Sequence, residues 1–239
     1  MNSPVAARNE LDAEFTFWKS APVDASTQRN RVPAQARAVK TRASLGSAAG
    51  RAFGEDGYAG ATAKGIAEVA GAATGSFYQY FTSKDEVLRE LAAGRQEVLV
   101  ERALGLLEVA GEGGAAEVRA RLRAVIDAVV AYHAADRGLH AVITERRHVD
   151  RELDALIAAG ERRLIDRIAA LLGRWGHVGD ATPTAFVLLA TLEGAVHAHV
   201  LGHPVVDDRR FVDALAEALL RIALPTPTPA QEMSWPSSR

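Results

Sequence analysis

Cysteine is absent from all 239 residues, which excludes a disulfide framework, thiol chemistry and a thiolate metal site. That absence fits a reducing cytoplasm, where the protein is expected to work. Long uncharged apolar runs are missing too. The nearest candidate, Ala181 to Leu201, is interrupted by Glu193, His197 and His199, so no membrane span is expected. The amino terminus lacks a charged region followed by an apolar one and does not read as a signal peptide. Strand-like alternation and internal repeats are absent. Nor is there a dominant charge: 28 Lys and Arg stand against 30 Asp and Glu, which argues against a generally basic nucleic-acid binder.

The distribution of charge says more than its sum. From Thr27 to Gly54 the chain carries Arg29, Arg31, Arg37, Lys40, Arg42 and Arg51 and no acidic residue. A local basic patch on a near-neutral chain points to one anionic contact surface. A solvated helix face would have the same composition.

Abundant alanine and apolar spacings of three and four predict an all-α protein of about nine helices, with an N-terminal three-helix head joined to a C-terminal bundle. Residues 1–32 read as a flexible arm with an apolar island at Phe15, Phe17 and Trp18. Residues 33–82 read as the head, 83–224 as the bundle and 225–239, rich in Pro, Thr and Ser, as a disordered tail. The first helix is expected from Pro33 to Phe53, with Val39, Leu45, Ala49, Ala52 and Phe53 inward and a break at Gly54 to Tyr58. Gly46 and Gly50 inside it cost about 1 kcal/mol each against alanine unless close packing needs them. Thr62 caps a short helix over 63–70, Gly71 ends it, and a second short helix covers 74–80. Ser83 and Glu86 form a capping box at the start of a long helix to about Leu107. Gly111, Gly113 and Gly114 then break the chain.

Two short helices joined by a tight glycine-containing turn suit the major groove, which admits one helix. In detail, Arg42 to Phe53, Gly57-Tyr58, Thr62, Ile66-Ala67, Ala70-Gly71 and the run Gly75-Ser76-Phe77-Tyr78-Gln79-Tyr80-Phe81, followed by Ser83-Lys84 and Val87-Leu88, resemble the tetracycline-repressor (TetR) family over about 50 contiguous residues. The resemblance implies a homodimer whose heads read a palindromic operator in double-stranded DNA, and a body that binds a small-molecule effector and changes head spacing. It implies that Thr62, Ser76, Tyr78, Tyr80 and Lys84 hold phosphates, and that Thr74, Gly75 and Gln79 lie nearest the bases. Arg42, from the acid-free stretch, joins this contact set. Phe53, Ile66, Phe77 and Phe81 would form the head's core. The family usually has a capping residue where Ala73 sits and Val where Ala72 sits. Thr74 as the cap would shift the start of the recognition helix by one residue. Gln79 apart, the base-facing set offers little hydrogen bonding, which leaves room for shape readout or for Arg29 and Arg31 in the minor groove.

The second half offers stripes at Val118, Leu122, Val125, Ile126, Val129 and Val130; at Leu153, Leu156, Ile157, Leu164, Ile168, Leu171, Leu172 and Trp175; at Phe186, Leu188, Leu189, Leu192, Val196 and Val200; and at Phe211, Val212, Leu215, Leu219 and Ile222. The last two helices suit a dimer interface, since two copies make a four-helix bundle. Tyr132, His133, His140, Thr144, Trp175, Thr191, Glu193 and His197 are polar or aromatic groups on apolar helices, and His133, Trp175 and Glu193 are the candidates for an effector pocket. No metal site or cofactor is expected. His197 and His199 point to nearly opposite sides of a helix, and Gly202 and Pro204 disturb the His199/His203 pair. No catalytic residues are expected either: there is no nucleophile elbow or P-loop, and the Gly111 region lacks a preceding strand. The expected function is a ligand-released transcriptional repressor. The alternatives are a ligand-independent architectural DNA-binding protein and, more remotely, a helical enzyme.

Overall fold

The computed structural model describes residues 32–108 and 114–224, and every regular element among them is a helix: α1 (Val32–Gly60), α2 (Ala63–Val69), α3 (Thr74–Tyr80), α4 (Lys84–Leu107), α5 (Ala115–Ala135), α6 (Arg137–Arg147), α7 (Arg151–Arg174), α8 (Thr182–Val200) and α9 (Asp208–Ala223). The expected arm up to residue 31, with Phe15, Phe17, Trp18, Arg29 and Arg31, lies outside the described residues. So do Gly111 and Gly113 and the tail from 225.

Local chemistry fixes most helix starts. The hydroxyls of Thr62 and Ser83 accept from the N–H groups of Gly65 (3.0 Å) and Glu86 (3.2 Å). Asp136, Asp150 and Asp207 do the same for α6, α7 and α9. Each cap satisfies a donor that a helix start leaves free. The Glu86 carboxylate reaches one residue further back than a capping box requires, accepting from the backbone N–H and hydroxyl of Thr82 at 2.6 and 2.7 Å. These bonds hold its carboxyl below the usual range.

The first helix does not stop at Phe53. It continues to a kink at Gly57, whose φ of 71° lies in the left-handed region that glycine enters without strain. Gly54 stays helical because its backbone is packed against α6. The backbone of Gly138 comes so close that a Cβ there would stand 2.0 Å from the Gly54 carbonyl oxygen. Gly50 needs no such allowance, since an added Cβ would meet only ordinary contacts at 3.9 Å.

The helices enclose two apolar cores. The head core gathers Leu45, Ala48, Ala49 and Phe53 of α1, Ile66 and Ala67 of α2, Phe77 of α3, Phe81, and Val87, Leu88 and Ala92 of α4. Leu139, Val142 and Ile143 of α6 and Leu153 of α7 join it, so the head is completed by residues far beyond position 82. Burying four such side chains is worth about 1.5–3 kcal/mol each. The body core combines Val118, Leu122, Val125, Ile126 and Val129 of α5 with Leu172, with Leu188, Val196 and Val200 of α8, and with Val212, Leu215, Leu219 and Leu220 of α9. Phe186 departs from its expected inward stripe and is 58% exposed.

Gly138→Ala should destabilise the fold by about 1–3 kcal/mol, because the added methyl meets helix backbone that cannot rotate away. Gly105→Ala should stabilise by about 0.5–1 kcal/mol, since a Cβ there meets nothing within 4 Å. Denaturant titration of both variants checks the opposite signs.

Candidate nucleic-acid interface

The α2–turn–α3 unit is anchored from one side only. Phe77 and Phe81 are buried against each other, their ring centroids 5.7 Å apart. Thr74, Gly75, Tyr78 and Gln79 are exposed, Tyr78 by 61%. Ser76 and Tyr80 are half-buried, and Thr62 is exposed at the cap of α2. Ala73 is the N-cap of α3, in extended conformation and with no side-chain bond to the helix. The helix therefore starts at Thr74, the shift that a Thr74 cap would bring does not occur, and the N-cap side chain makes no bond to the front of α3.

Two of the expected cationic contacts are engaged inside the head. Arg42 makes a two-pronged pair with Glu90, one bond at 2.8 Å, and lies 4.7 Å over the Phe81 ring. Its charge is matched by a carboxylate rather than offered outward. The Lys84 ammonium donates to the carbonyls of Tyr58 (2.7 Å) and Ala61 (3.2 Å) and sits 4.0 Å over the Tyr58 ring. It thus clips the α1–α2 connection to the start of α4. Tyr58 is enclosed further by the Arg146 guanidinium at 3.9 Å, and its hydroxyl donates to Asp85. Burial first and the Asp85 carboxylate second push the Tyr58 phenol up to about 12, so it stays neutral.

In the body, three histidines from three helices converge. His133 of α5, His140 of α6 and His197 of α8 place ring nitrogens within 4.8 Å of one another. The Nε2 atoms of His140 and His197 are 3.0 Å apart. His133 Nδ1 lies 2.7 Å from the Val129 carbonyl, so Nδ1 carries the proton there and Nε2 is left with its lone pair. Burial is the main cause that lowers all three rings, His133 to about 4 and His140 to about 3, and they are uncharged at neutral pH. Buried Arg95 lies close by, paired with Asp136 at 3.5 Å and set 4.6 Å over the Tyr132 ring. Glu193, one turn before His197, is pushed up to about 7 by burial and by Glu161, against the opposing pull of Arg147. Trp175 caps the C-terminus of α7 and packs on the body core. Thr144 turns its hydroxyl back to the His140 carbonyl at 3.0 Å.

Residues 45–91 match the family model for the N-terminal region of bacterial regulatory proteins of the TetR family. Residues 118–221 match the tetracycline repressor-like C-terminal domain. The two matches together span well over half of the sequence. The chain belongs to the TetR family. Its fold is shared with several solved structures. One is a protein of Mesorhizobium loti assigned to the TetR family of transcriptional regulators, at 19% identity and a TM-score of 0.62, covering 78% of this chain and 98% of that one. Another is the fatty acid degradation regulator FadR of Bacillus halodurans, at 24% identity and 0.61, covering 75% and 94%. A third, from Streptomyces coelicolor and assigned as a transcriptional regulator, has 20% identity and a TM-score of 0.63, covering 77% and 98%. No curated protein is significantly similar to the chain.

This TetR-family protein is thus a DNA-binding transcriptional regulator, and no helix among its described residues is long and apolar enough to cross a membrane. The side chains that single-sequence reading did not place are those that join head to body: Tyr58, Asp85, Arg89, Arg146 and Asp150. Arg89 bonds buried Asp150 at 2.9 Å. Burial alone would raise that carboxyl, but Arg89 and two backbone N–H groups hold it low. Asp150 carried a readable signal, an acidic residue three before Leu153 at a helix start. Arg146 carried none, because its partners stand 61 and more residues away.

Glu193 makes stability depend on pH in a defined direction. Its folded value of about 7 lies above the ordinary 4.5, so its contribution is complete below about pH 4.5 and is lost as pH rises through 7. Glu193→Gln should therefore stabilise the protein at pH 8 by up to about 3 kcal/mol and be nearly neutral at pH 4.5. Thermal unfolding at the two pH values checks this.

Proposed function

We propose that the protein is a homodimeric repressor that binds a palindromic operator through α3 and is released by a small-molecule effector, acting in the cytoplasm. The observation that carries the reading is the one-sided anchoring of α3. Phe77 and Phe81 fix the helix while Thr74, Gly75, Tyr78 and Gln79 are exposed at a helix front without a side-chain cap. Gln79 is suited to a bidentate contact with adenine. Tyr78, Tyr80, Ser76 and Thr62 offer hydroxyls to phosphates. Lys84 enters as a residue that positions the connection before α2 through the carbonyls of Tyr58 and Ala61. Arg42 is left out, its charge being spent on Glu90.

Dimerisation through α8 and α9 is supported by a second stripe on α8. Phe186, Ala190, Gly194 and Ala198 recur every four residues and are exposed, opposite the buried Leu188, Leu189 and Val196. A helix apolar on both faces needs cover on both, and alanine and glycine allow close approach by a partner helix. Exposed Ala214 and Ala218 extend the same small-residue surface onto α9. Domain limits near residues 82–83 and 224 belong to this proposal. The effector would bind in the body around His133 and Glu193.

Tyr78→Ala should lower operator affinity by about tenfold or more, with the helical content unchanged, since a surface side chain carries little of the fold. Gln79→Ala should cost about 1–3 kcal/mol at its cognate base pair and relax specificity there. Both are read by mobility shift on sites selected from a random DNA pool, with log affinity falling against log salt by about 0.9 per phosphate contact. Full retention of affinity and specificity by both variants would remove α3 from the interface. Ala198→Glu should convert the dimer to monomers in analytical ultracentrifugation without unfolding it.

A further inference from the structure

We propose that His133, His140 and His197 form a binding site for a divalent first-row transition-metal ion, Zn2+ by preference, and that the ion acts as an effector of DNA binding. The first part stands on geometry. Imidazole nitrogens bound to one tetrahedral ion at about 2.0–2.1 Å are about 3.3 Å apart. The His140 and His197 Nε2 atoms are already 3.0 Å apart, and all three rings have a ligating nitrogen within 4.8 Å of the others. The His133 Nδ1 contact with the Val129 carbonyl at 2.7 Å is the outer bond that metal-binding imidazoles use to fix the ligating nitrogen and aim it. Three neutral nitrogen ligands suit Zn2+, Ni2+, Co2+ or Cu2+ and exclude Ca2+ and Mg2+, which require oxygen. The neighbouring Arg95 would oppose a cation, but Asp136 at 3.5 Å balances its charge. The fourth position falls to water or an exogenous ligand.

The second part rests on the operator-binding reading above. His140 belongs to α6, and so do Leu139, Val142 and Ile143, which are buried in the head core. An ion that ties His140 to His133 of α5 and His197 of α8 fixes α6 against the body. Because α6 packs into the head without slack at Gly138 and Gly54, the ion fixes the head as well.

The test uses the untagged full chain. Titration with Co2+, followed by its visible ligand-field bands, should show one ion per chain in tetrahedral coordination, and Zn2+ should displace it. His140→Gln and His197→Gln should each weaken binding by more than about 100-fold, beyond the loss caused by removing an outer partner. His203→Gln, at an exposed histidine outside the cluster, should leave it unchanged. Helical circular dichroism confirms that each variant is folded. A native protein that takes up no Co2+ or Zn2+ at micromolar concentration overturns the site whatever the variants do, and so does binding that survives both substitutions. Operator affinity measured with and without Zn2+ should differ by at least about fivefold in the native chain and not at all in His140→Gln. Metal binding with unchanged operator affinity overturns the effector role alone. Failure of the native chain to bind any selected operator overturns the DNA-binding reading and leaves the metal titration standing.

Discussion

The contact on which this architecture depends is the crossing of α6 over α1, where Gly138 meets the Gly54 carbonyl with no room for a methyl group. Three consequences follow from that approach. Leu139, Val142 and Ile143 reach the head core, so the helix-turn-helix is closed by a segment that belongs by sequence to the body. Arg146 is delivered to the Tyr58 ring and to Asp85, 3.1 Å away. His140 is left on the body side of α6, beside His133 and His197. A single short helix thus buries one face in the head core and sets His140 against histidines of α5 and α8. Packed interiors do not deform continuously, so a displacement of α6 is transmitted to the head rather than absorbed.

What was legible in the sequence was what is decided locally. Phe53, Ile66, Phe77 and Phe81 are all buried as the family resemblance implied. Thr62 and Ser83 cap the expected helices, since a cap involves only three or four consecutive residues. A remote partner is what the sequence does not show. Arg42 and Lys84 appear in sequence as free cations near a DNA-binding motif, and nothing local reveals Glu90 or the carbonyls of Tyr58 and Ala61. Phe186 was assigned to the core by its spacing, yet spacing alone cannot say which of two apolar faces of α8 looks inward. The body histidines show the same limit. Sequence spacing sets His197 beside His199, whereas His199 stacks on Phe211 at 4.0 Å and meets Asp208 at 2.8 Å. The residues that approach His197 lie 57 and 64 positions earlier, on helices separated by the turn at Asp136.

Most buried polar groups of the head–body junction satisfy one another, although the buried Arg146 Nε has no hydrogen-bond partner among the described residues. Asp150 is held by Arg89 and by the first turn of α7, while Tyr58 is held by one carboxylate and two cations. Exposed ion pairs contribute little, and buried ones repay their desolvation only when every donor and acceptor is placed. Their effect here is therefore directional. Together with the close approach of Gly138 to Gly54 they specify one register of α6 on the head.

That register extends to the proposed DNA surface without passing through the head core. Arg146 and Lys84 lie against the same Tyr58 ring, and Lys84 opens α4 directly after the Phe81-Thr82-Ser83 connection that leaves α3. A shift of Arg146 with α6 disturbs Tyr58, whose carbonyl and ring both hold Lys84. It thereby disturbs the start of α4, which Lys84 opens. Arg146 of α6 and Lys84 of α4 thus meet on one ring, whose phenol, pushed up to about 12, stays neutral at physiological pH.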